Sequence, residues 1–245
     1  MAKIAVIVVA AGKGTRFGRQ EKKIFSKVEG QPMFLRTVQH FINRDDVCET
    51  ILVVSPEDEG LVREKYGANL GFMGVKLARG GAERCDSVAA GLDAVSDQAE
   101  FVAIHDAARP AVSLDMVDRV FAEAQKSGAA ILAAPLHGTL KRVSGSGVID
   151  ETLCREGLWE AQTPQVFKRE VIVEAYGKRG DFEGSPTDDA QLVEAMGHPV
   201  EVVDSDFSNL KITTRADITL ANAIIRNRPK PKPKGPLGAF DEAQW

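Results

Sequence analysis

A chain of 245 residues, 44% hydrophobic and 27% charged, can bury a substantial core, as one large α/β domain or two small ones. Its formal net charge of −4 argues against a general nucleic-acid binder, and no apolar run approaches the length of a membrane span. Three scattered cysteines (Cys48, Cys85, Cys154) and four histidines (His40, His105, His137, His198) lack disulfide or metal-ligand spacing, so a cytoplasmic chain without a bound transition metal is expected.

Ile4 to Ala11 is a continuous apolar run that stops at Gly12-Lys13-Gly14-Thr15-Arg16-Phe17-Gly18. Unbroken hydrophobicity over that length predicts a strand buried on both faces, as in a parallel sheet. A signal-peptide core is a poor match, because little positive charge precedes the run and glycines follow at once. The loop leaving the strand offers backbone N–H groups beside Lys13 and Arg16, a natural guest site for phosphate. A dinucleotide fingerprint would need glycine at Phe17, and a P-loop would need Ser or Thr where Gly14 stands. The loop therefore reads as a nucleotide-triphosphate cradle, with an unliganded tight turn as the alternative.

Pro32 opens a helix with Phe34, Leu35, Val38, Phe41 and Ile42 on one face. Thr50 to Val54 is a second buried strand, and Ser55-Pro56 with the acids after it starts another helix. Val75 to Ala78 is a third strand, running into Arg79-Gly80-Gly81-Ala82-Glu83-Arg84-Cys85-Asp86-Ser87 and a helix that buries Val88, Leu92 and Val95. Phe101 to Ile104 is a fourth, ending in His105-Asp106-Ala107-Ala108-Arg109-Pro110. A helix over Leu114 to Lys126 leads to a strand over Ala130 to Ala134. Such alternation predicts an α/β fold, a mostly parallel sheet covered by helices on both faces. Ligand sites in these sheets lie beyond the carboxyl ends of the strands. That rule gathers 12–23, 80–87 and 105–110 along one edge.

The alternation then breaks. Thr139 to Val143, the turn Ser144-Gly145-Ser146-Gly147 and Val148 to Leu153 read as a β-hairpin too polar for the core. A projecting hairpin leaves edges for a second subunit to cover, unless it is an exposed flap. Leu158 to Phe167 carries no clear element. Two helical segments follow, the second from about Thr187, then a strand at Glu201 to Val203. Thr214 with Asp217 resembles a capping box opening a last helix. The domain spans 1–228, and the Pro/Lys-rich tail over 229–245 favours extended polyproline II.

With these segments in view, the chain resembles the 2-C-methyl-D-erythritol 4-phosphate cytidylyltransferase family from about Ile4 to Ile225. The resemblance rests on Ala10-Ala11-Gly12-x-Gly14-x-Arg16, Lys23-x-Phe25, Gly80-Gly81-x-x-Arg84-x-Asp86-Ser87-Val88 and His105-Asp106-Ala107-Ala108-Arg109-Pro110. It continues through Thr139-Leu140-Lys141, Trp159-x-Ala161-x-Thr163-Pro164-Gln165, Thr187-Asp188-Asp189-Ala190 and Asn209-Leu210-Lys211-Ile212-Thr213. It implies a Rossmann-like nucleotidyltransferase fold whose projecting β-arm, about 137–157, pairs a homodimer and completes each site. It also implies a Mg²⁺-dependent reaction of CTP with methylerythritol phosphate, with loss of pyrophosphate and no role for nucleic acid or membrane.

The resemblance assigns catalysis to Arg16, Lys23 and Lys211, and the nucleotide to Ala10, Ala11, Gly12, Gly14, Gly81, Ser87 and Asp106. The acceptor falls to Asp106, Arg109, Thr139, Arg155, Thr163 and Lys211, and Mg²⁺ to Asp106 with the CTP phosphates. The acceptor phosphate has a second pKa near 6, so no strong base is needed, and the task is to neutralise charge around the α-phosphate. Lys22 stands beside Lys23 and competes for the same position. Duller roles stay open: solvated cations at Arg16 and Lys23, a helix start at Ser87, a turn cap at Asp106 and a rim ion pair at Arg155. A relative acting on ribitol 5-phosphate, or a non-catalytic nucleotide-binding module, are the other functions considered.

Overall fold

The computed structural model describes residues 2–12, 14, 17 and 22–229. Strand β1 (Ile4–Val9) is followed by the small hairpin of β2 (Lys27–Val28) and β3 (Gln31–Pro32), then α1 (Met33–Val38). Next come β4 (Val47–Val54), α2 (Pro56–Phe72), β5 (Val75–Arg79), α3 (Arg84–Asp93) and β6 (Phe101–Asp106). The chain continues with α4 (Leu114–Ser127), β7 (Ala129–Pro135), β8 (Leu140–Val143), β9 (Ile149–Leu153) and β10 (Trp159–Lys168). It closes with α5 (Arg169–Gly177), α6 (Ala190–Ala195), β11 (Glu201–Asp204) and α7 (Arg215–Asn227).

Seven strands form one sheet in the order β11-β7-β10-β6-β1-β4-β5. All neighbours run parallel except at β10, which is antiparallel to both β6 and β7. From β1 the chain moves outward to β4 and β5, then returns to β6 on the other side of β1. The loops leaving β1 and β6 therefore diverge, and a crevice opens at their carboxyl ends.

Strand alternation sends side chains to two cores. Val6 and Val8 face Phe34, Phe41, Val62, Val117 and Phe121, from the α1, α2 and α4 side. Ile7 faces Val53, Val88, Ile104, Ile172 and Val193, from the α3, α5 and α6 side. A third cluster packs Phe17, Val28 and Met33 with Ala108, Ile212 and Ala221, seating α7 beside the crevice. Among the described residues no helix is long and apolar enough to cross a membrane.

The expected elements are present, with shifted boundaries. The helix expected from Pro32 stops at Val38, and Phe41 reaches the core through i→i+3 turns instead. Thr37 Oγ1 donates there to both Met33 and Ala107, tying the helix end to the loop after β6. Val95 lies beyond α3, although it packs against the same core. The segment without a clear element is the ten-residue β10. Polar residues and Pro164 disguise it, and its register shifts between Ala161 and Gln165 where the proline sits. Among the described residues β8 and β9 pair only with each other, with Val143, Val148 and Ile149 exposed. The tail from residue 230 lies outside the described residues.

Gly91 sets how closely α3 approaches β1. A Cβ there would lie 2.6 Å from Ile7 Cγ2 and 3.1 Å from Val53 Cγ2, both on fully buried side chains. Alanine gains about 1 kcal/mol of helix propensity, but overpacking costs about 1–3 kcal/mol. The clash should win, so Gly91→Ala is expected to lower Tm by a few degrees in a thermal melt. A raised Tm would mean the two elements separate without cost.

Candidate active site

The crevice holds a cavity of about 380 Å³, in the range of small-molecule sites. The β1 loop supplies Val9 to Gly12 and Gly14, and Lys23 and Ile24 follow from the next segment. Ala82, Glu83, Arg84 and Ser87 come from the start of α3, and Asp106, Ala107 and Ala108 from the end of β6. Lys211 and Thr213 enter from the segment before α7. Residues about 200 positions apart meet because the sheet order places their strand ends together.

Asp106 is the electrostatic centre. Its Oδ1 accepts from Arg84 Nε at 3.2 Å and its Oδ2 pairs with Lys211 Nζ at 2.5 Å, while the residue is only 7% exposed. Burial alone would raise this carboxyl, yet Arg84, Lys211 and Arg109 outweigh it and hold it far below the usual carboxylate range. The carboxylate serves these cations and caps no turn. Burial opposes the Arg84 charge, and the carboxylates of Asp189 and Asp106 more than restore it.

The two lysines separate clearly. Lys23 lines the cavity, whereas Lys22 Nζ lies 2.6 Å from Asp58 on α2. Ser87 does not cap α3. Glu83 is the N-cap and receives the Asp86 carboxylate on its N–H at 3.1 Å. The buried Ser87 hydroxyl donates to the Glu83 carbonyl and accepts the Gly81 N–H at 3.2 Å. A Cβ on Gly80 would lie 2.7 Å from Ala11 Cβ and 2.8 Å from Ser87 Oγ, so this glycine lets the two cavity walls meet.

Other expected residues lie away from the cavity lining. Thr163 is buried behind Asp106, where its hydroxyl accepts the Asp106 N–H at 3.0 Å. Arg109 is 4% exposed and donates to the Asn209 carbonyl at 2.6 Å, and its Nε has no partner among the described residues. Thr139 and Arg155 are exposed at the open end of the β8–β9 hairpin, where Arg155 donates to the His137 carbonyl. Arg16 lies outside the described residues, as does Lys13. Arg84 and Thr213 belong to the lining although neither was singled out for a role. The signal at Arg84 was its place inside the Gly80–Val88 motif.

No described group of three His, Cys, Asp or Glu side chains could hold a metal. One ionised, buried carboxylate does suit Mg²⁺, which keeps much of its coordination for water and phosphate. Each Asp106 oxygen retains acceptor capacity beyond its cation partner. The donor set thus fits a magnesium ion carried chiefly by a nucleotide.

The comparisons with known proteins agree on one family. Residues 4–227 match the family model for 2-C-methyl-D-erythritol 4-phosphate cytidylyltransferase. A protein of that name from Rhodopirellula baltica is 45% identical, over 91% of this chain and 95% of its own length. The crystal structure of 4-diphosphocytidyl-2C-methyl-D-erythritol synthase from Anaerococcus prevotii superposes with a TM-score of 0.78 at 30% identity, covering 92% of this chain and 96% of that one. A cytidylyltransferase of the same name from Thermus thermophilus gives 0.74 at 34% identity, over 90% and 98% of the two chains.

His105 sits under the site, fully buried. Its Nε2 faces the Arg109 carbonyl at 3.2 Å, which can only accept, so Nε2 carries the proton and Nδ1 accepts from the Thr163 hydroxyl at 3.1 Å. Burial pushes its pKa down to about 3 against partial help from Asp106, and burial lowers His40 as well. Below about pH 6.5 the unfolded chain takes up protons that the folded chain refuses, so stability falls as pH falls. The depressed Asp106 adds to this only below about pH 4, where the unfolded carboxyl protonates. His105 alone should cost about 2 kcal/mol at pH 5, lowering Tm by roughly 4–8 °C from its value at pH 7.5. A Tm that stays flat from pH 7.5 to 5 would contradict a buried neutral His105.

Proposed function

Because the chain belongs to the 2-C-methyl-D-erythritol 4-phosphate cytidylyltransferase family, we infer that it transfers a cytidylyl group from CTP to 2-C-methyl-D-erythritol 4-phosphate. The products are 4-diphosphocytidyl-2-C-methyl-D-erythritol and pyrophosphate. The supporting observation is the convergence of Ala10, Ala11, Gly12, Gly14, Lys23 and Lys211 around the ionised Asp106 in one cavity.

The acceptor phosphate is largely dianionic at neutral pH and is itself the nucleophile. Its oxygen forms a bond to the CTP α-phosphorus as the bond to pyrophosphate breaks. The chain's work is to align two anions and to neutralise the charge that builds between them. Lys23 and Lys211 face the cavity from opposite ends of the sequence and take this role, joined by Arg16 on family position. Backbone N–H groups at Gly12 and Gly14 add donors for phosphate. Mg²⁺ bound by Asp106 and the nucleotide phosphates would supply further charge neutralisation. Ala10, Ala11 and Ser87 line the end assigned to the cytosine, with Gly81 bonded to the Ser87 hydroxyl beside it, and a side chain at Gly80 would collide with Ala11 and Ser87.

On the acceptor side, Arg109 brings a buried donor without a partner among the described residues, next to Thr163 and Asp106. Thr139 and Arg155 sit on a hairpin that exposes apolar side chains and cannot stabilise itself alone. A second copy covering that hairpin would bring Arg155 to the neighbouring site, so the working unit is a homodimer. The three free cysteines suit a reducing, cytoplasmic compartment.

Pyrophosphate release with Mg²⁺, CTP and methylerythritol phosphate tests the reaction, with ATP, GTP, UTP and ribitol 5-phosphate as controls. Lys23→Ala is expected to lose ~10²–10³ in kcat, while Lys22→Ala, which leaves the buried Asp58 carboxylate without its lysine but outside the cavity lining, changes kcat less than about threefold and shows its effect in Tm. The reverse order would move the catalytic lysine by one position, and release only with ribitol 5-phosphate would replace the acceptor. Sedimentation should give a species of twice the chain mass, and a monomer at every concentration would reject the pairing.

A further inference from the structure

Asp189 carries a fully buried carboxylate outside the cavity lining. Arg84 grips it with both terminal nitrogens, at 2.9 and 2.7 Å, and Tyr176 Oη donates to it at 2.6 Å. The same guanidinium turns its Nε to Asp106 at 3.2 Å. One arginine therefore bridges a carboxylate behind the cleft to the carboxylate within it.

The anchor is itself held. Gln165 Oε1 accepts the N–H groups of Asp189 and Ala190, both at 3.0 Å, and Gln165 Nε2 donates to Asp188 at 2.9 Å. Two sequence motifs given no chemistry by the reaction, Pro164-Gln165 and Thr187 to Ala190, thus lock together behind Arg84. A bidentate fork fixes the plane of a guanidinium, and that plane fixes where Nε points. Two carboxylates, Asp189 and Asp106, are directly ion-paired with Arg84 and Lys211. Without Asp189, an arginine whose side chain is 27% exposed at the cavity could swing toward the phosphates, leaving Asp106 with one cation fewer.

We propose that Asp189, backed by Tyr176, is a positioning residue for the transfer reaction, setting the Arg84 guanidinium so that Asp106 and its partner Lys211 keep their places in the cleft. This role rests on the cytidylyltransferase reading. Asp189 and Tyr176 touch no substrate, because both are buried away from the cavity. Their effect passes through Arg84.

The test measures kcat, both KM values and Tm for the wild type, Asp189→Asn, Tyr176→Phe, Arg84→Ala and the Tyr176→Phe/Arg84→Ala double variant. Asp189→Asn should lose ~10–100-fold in kcat, as expected for misplaced catalytic groups, with each KM within about threefold. Tyr176→Phe should lose about 3–10-fold, the worth of one hydrogen bond. In the Arg84→Ala background it should add less than about twofold, because the path it acts through is gone. Added guanidinium ion should restore part of the Arg84→Ala turnover. If Asp189→Asn does not fold, Tyr176→Phe alone and in the double variant decides the question.

Wild-type kcat in both Asp189→Asn and Tyr176→Phe would overturn the role. So would a Tm loss without a kcat loss, a KM rise at constant kcat, or fully multiplicative effects in the double variant. Absence of turnover in the wild type would instead count against the transferase reading, and the role would fall with it.

Discussion

A carboxylate buried at the end of β6 has to be compensated by charge brought from elsewhere, and the chain is folded around that requirement. The Asp106 cations arrive from α3 and from the segment before α7, and its backbone N–H is taken by Thr163 of β10. Leaving a buried charge without its partner typically costs 3–5 kcal/mol, which is large against the marginal stability of a domain. The same arrangement that satisfies Asp106 also places Arg84 and Lys211 against the cavity. Stability and preparation of the site are here one set of contacts.

Strand β10 is the structural counterpart. Among the described residues it is the one antiparallel member of the large sheet, and it buries Gln162, Thr163 and Gln165 among mostly apolar strands. Each polar side chain clips a different segment to the sheet. Gln162 accepts from Ser205 and Asn209, Thr163 holds the end of β6, and Gln165 caps the start of α6. Because these side chains are satisfied, their burial costs little, and it binds the carboxyl-terminal third of the chain to the end of β6. The same strand begins at Trp159, just after the β8–β9 hairpin.

The two halves of the cleft are built differently. Beside β1 and the start of α3, backbone and small residues form the wall, and Gly80 stands where a side chain would run into Ala11 and Ser87. Beside the end of β6 and the segment before α7, long charged side chains are held by other side chains. Backbone geometry tolerates little change of shape, whereas a guanidinium can turn unless something holds its plane. The second side therefore needs a supporting layer, and Asp189, Tyr176 and Gln165 make one.

Much of this was already legible in the amino-acid order. The apolar run before Gly12 required a doubly buried strand, alternation of strands and helices required a mostly parallel sheet, and the rule about strand ends collected the loops that line the cavity. The motifs around Arg16, Asp106 and Lys211 carried the family itself. Element edges were less legible, because Phe41 and Val95 keep their core positions whether or not the helix continues to them. β10 was hidden altogether. A strand whose polar residues are buried and paired with distant partners has the local composition of a loop, and Pro164 strengthens the disguise. Local sequence thus determined which segments are apolar, which are turns and which carry charge. Only the tertiary structure decided that Lys22 belongs to Asp58 and Lys23 to the cleft, and that Arg84 reaches across 105 positions of sequence to Asp189 while holding Asp106. Charge pairing depends on distance in space, and sequence separation says nothing about that distance until the sheet order is set.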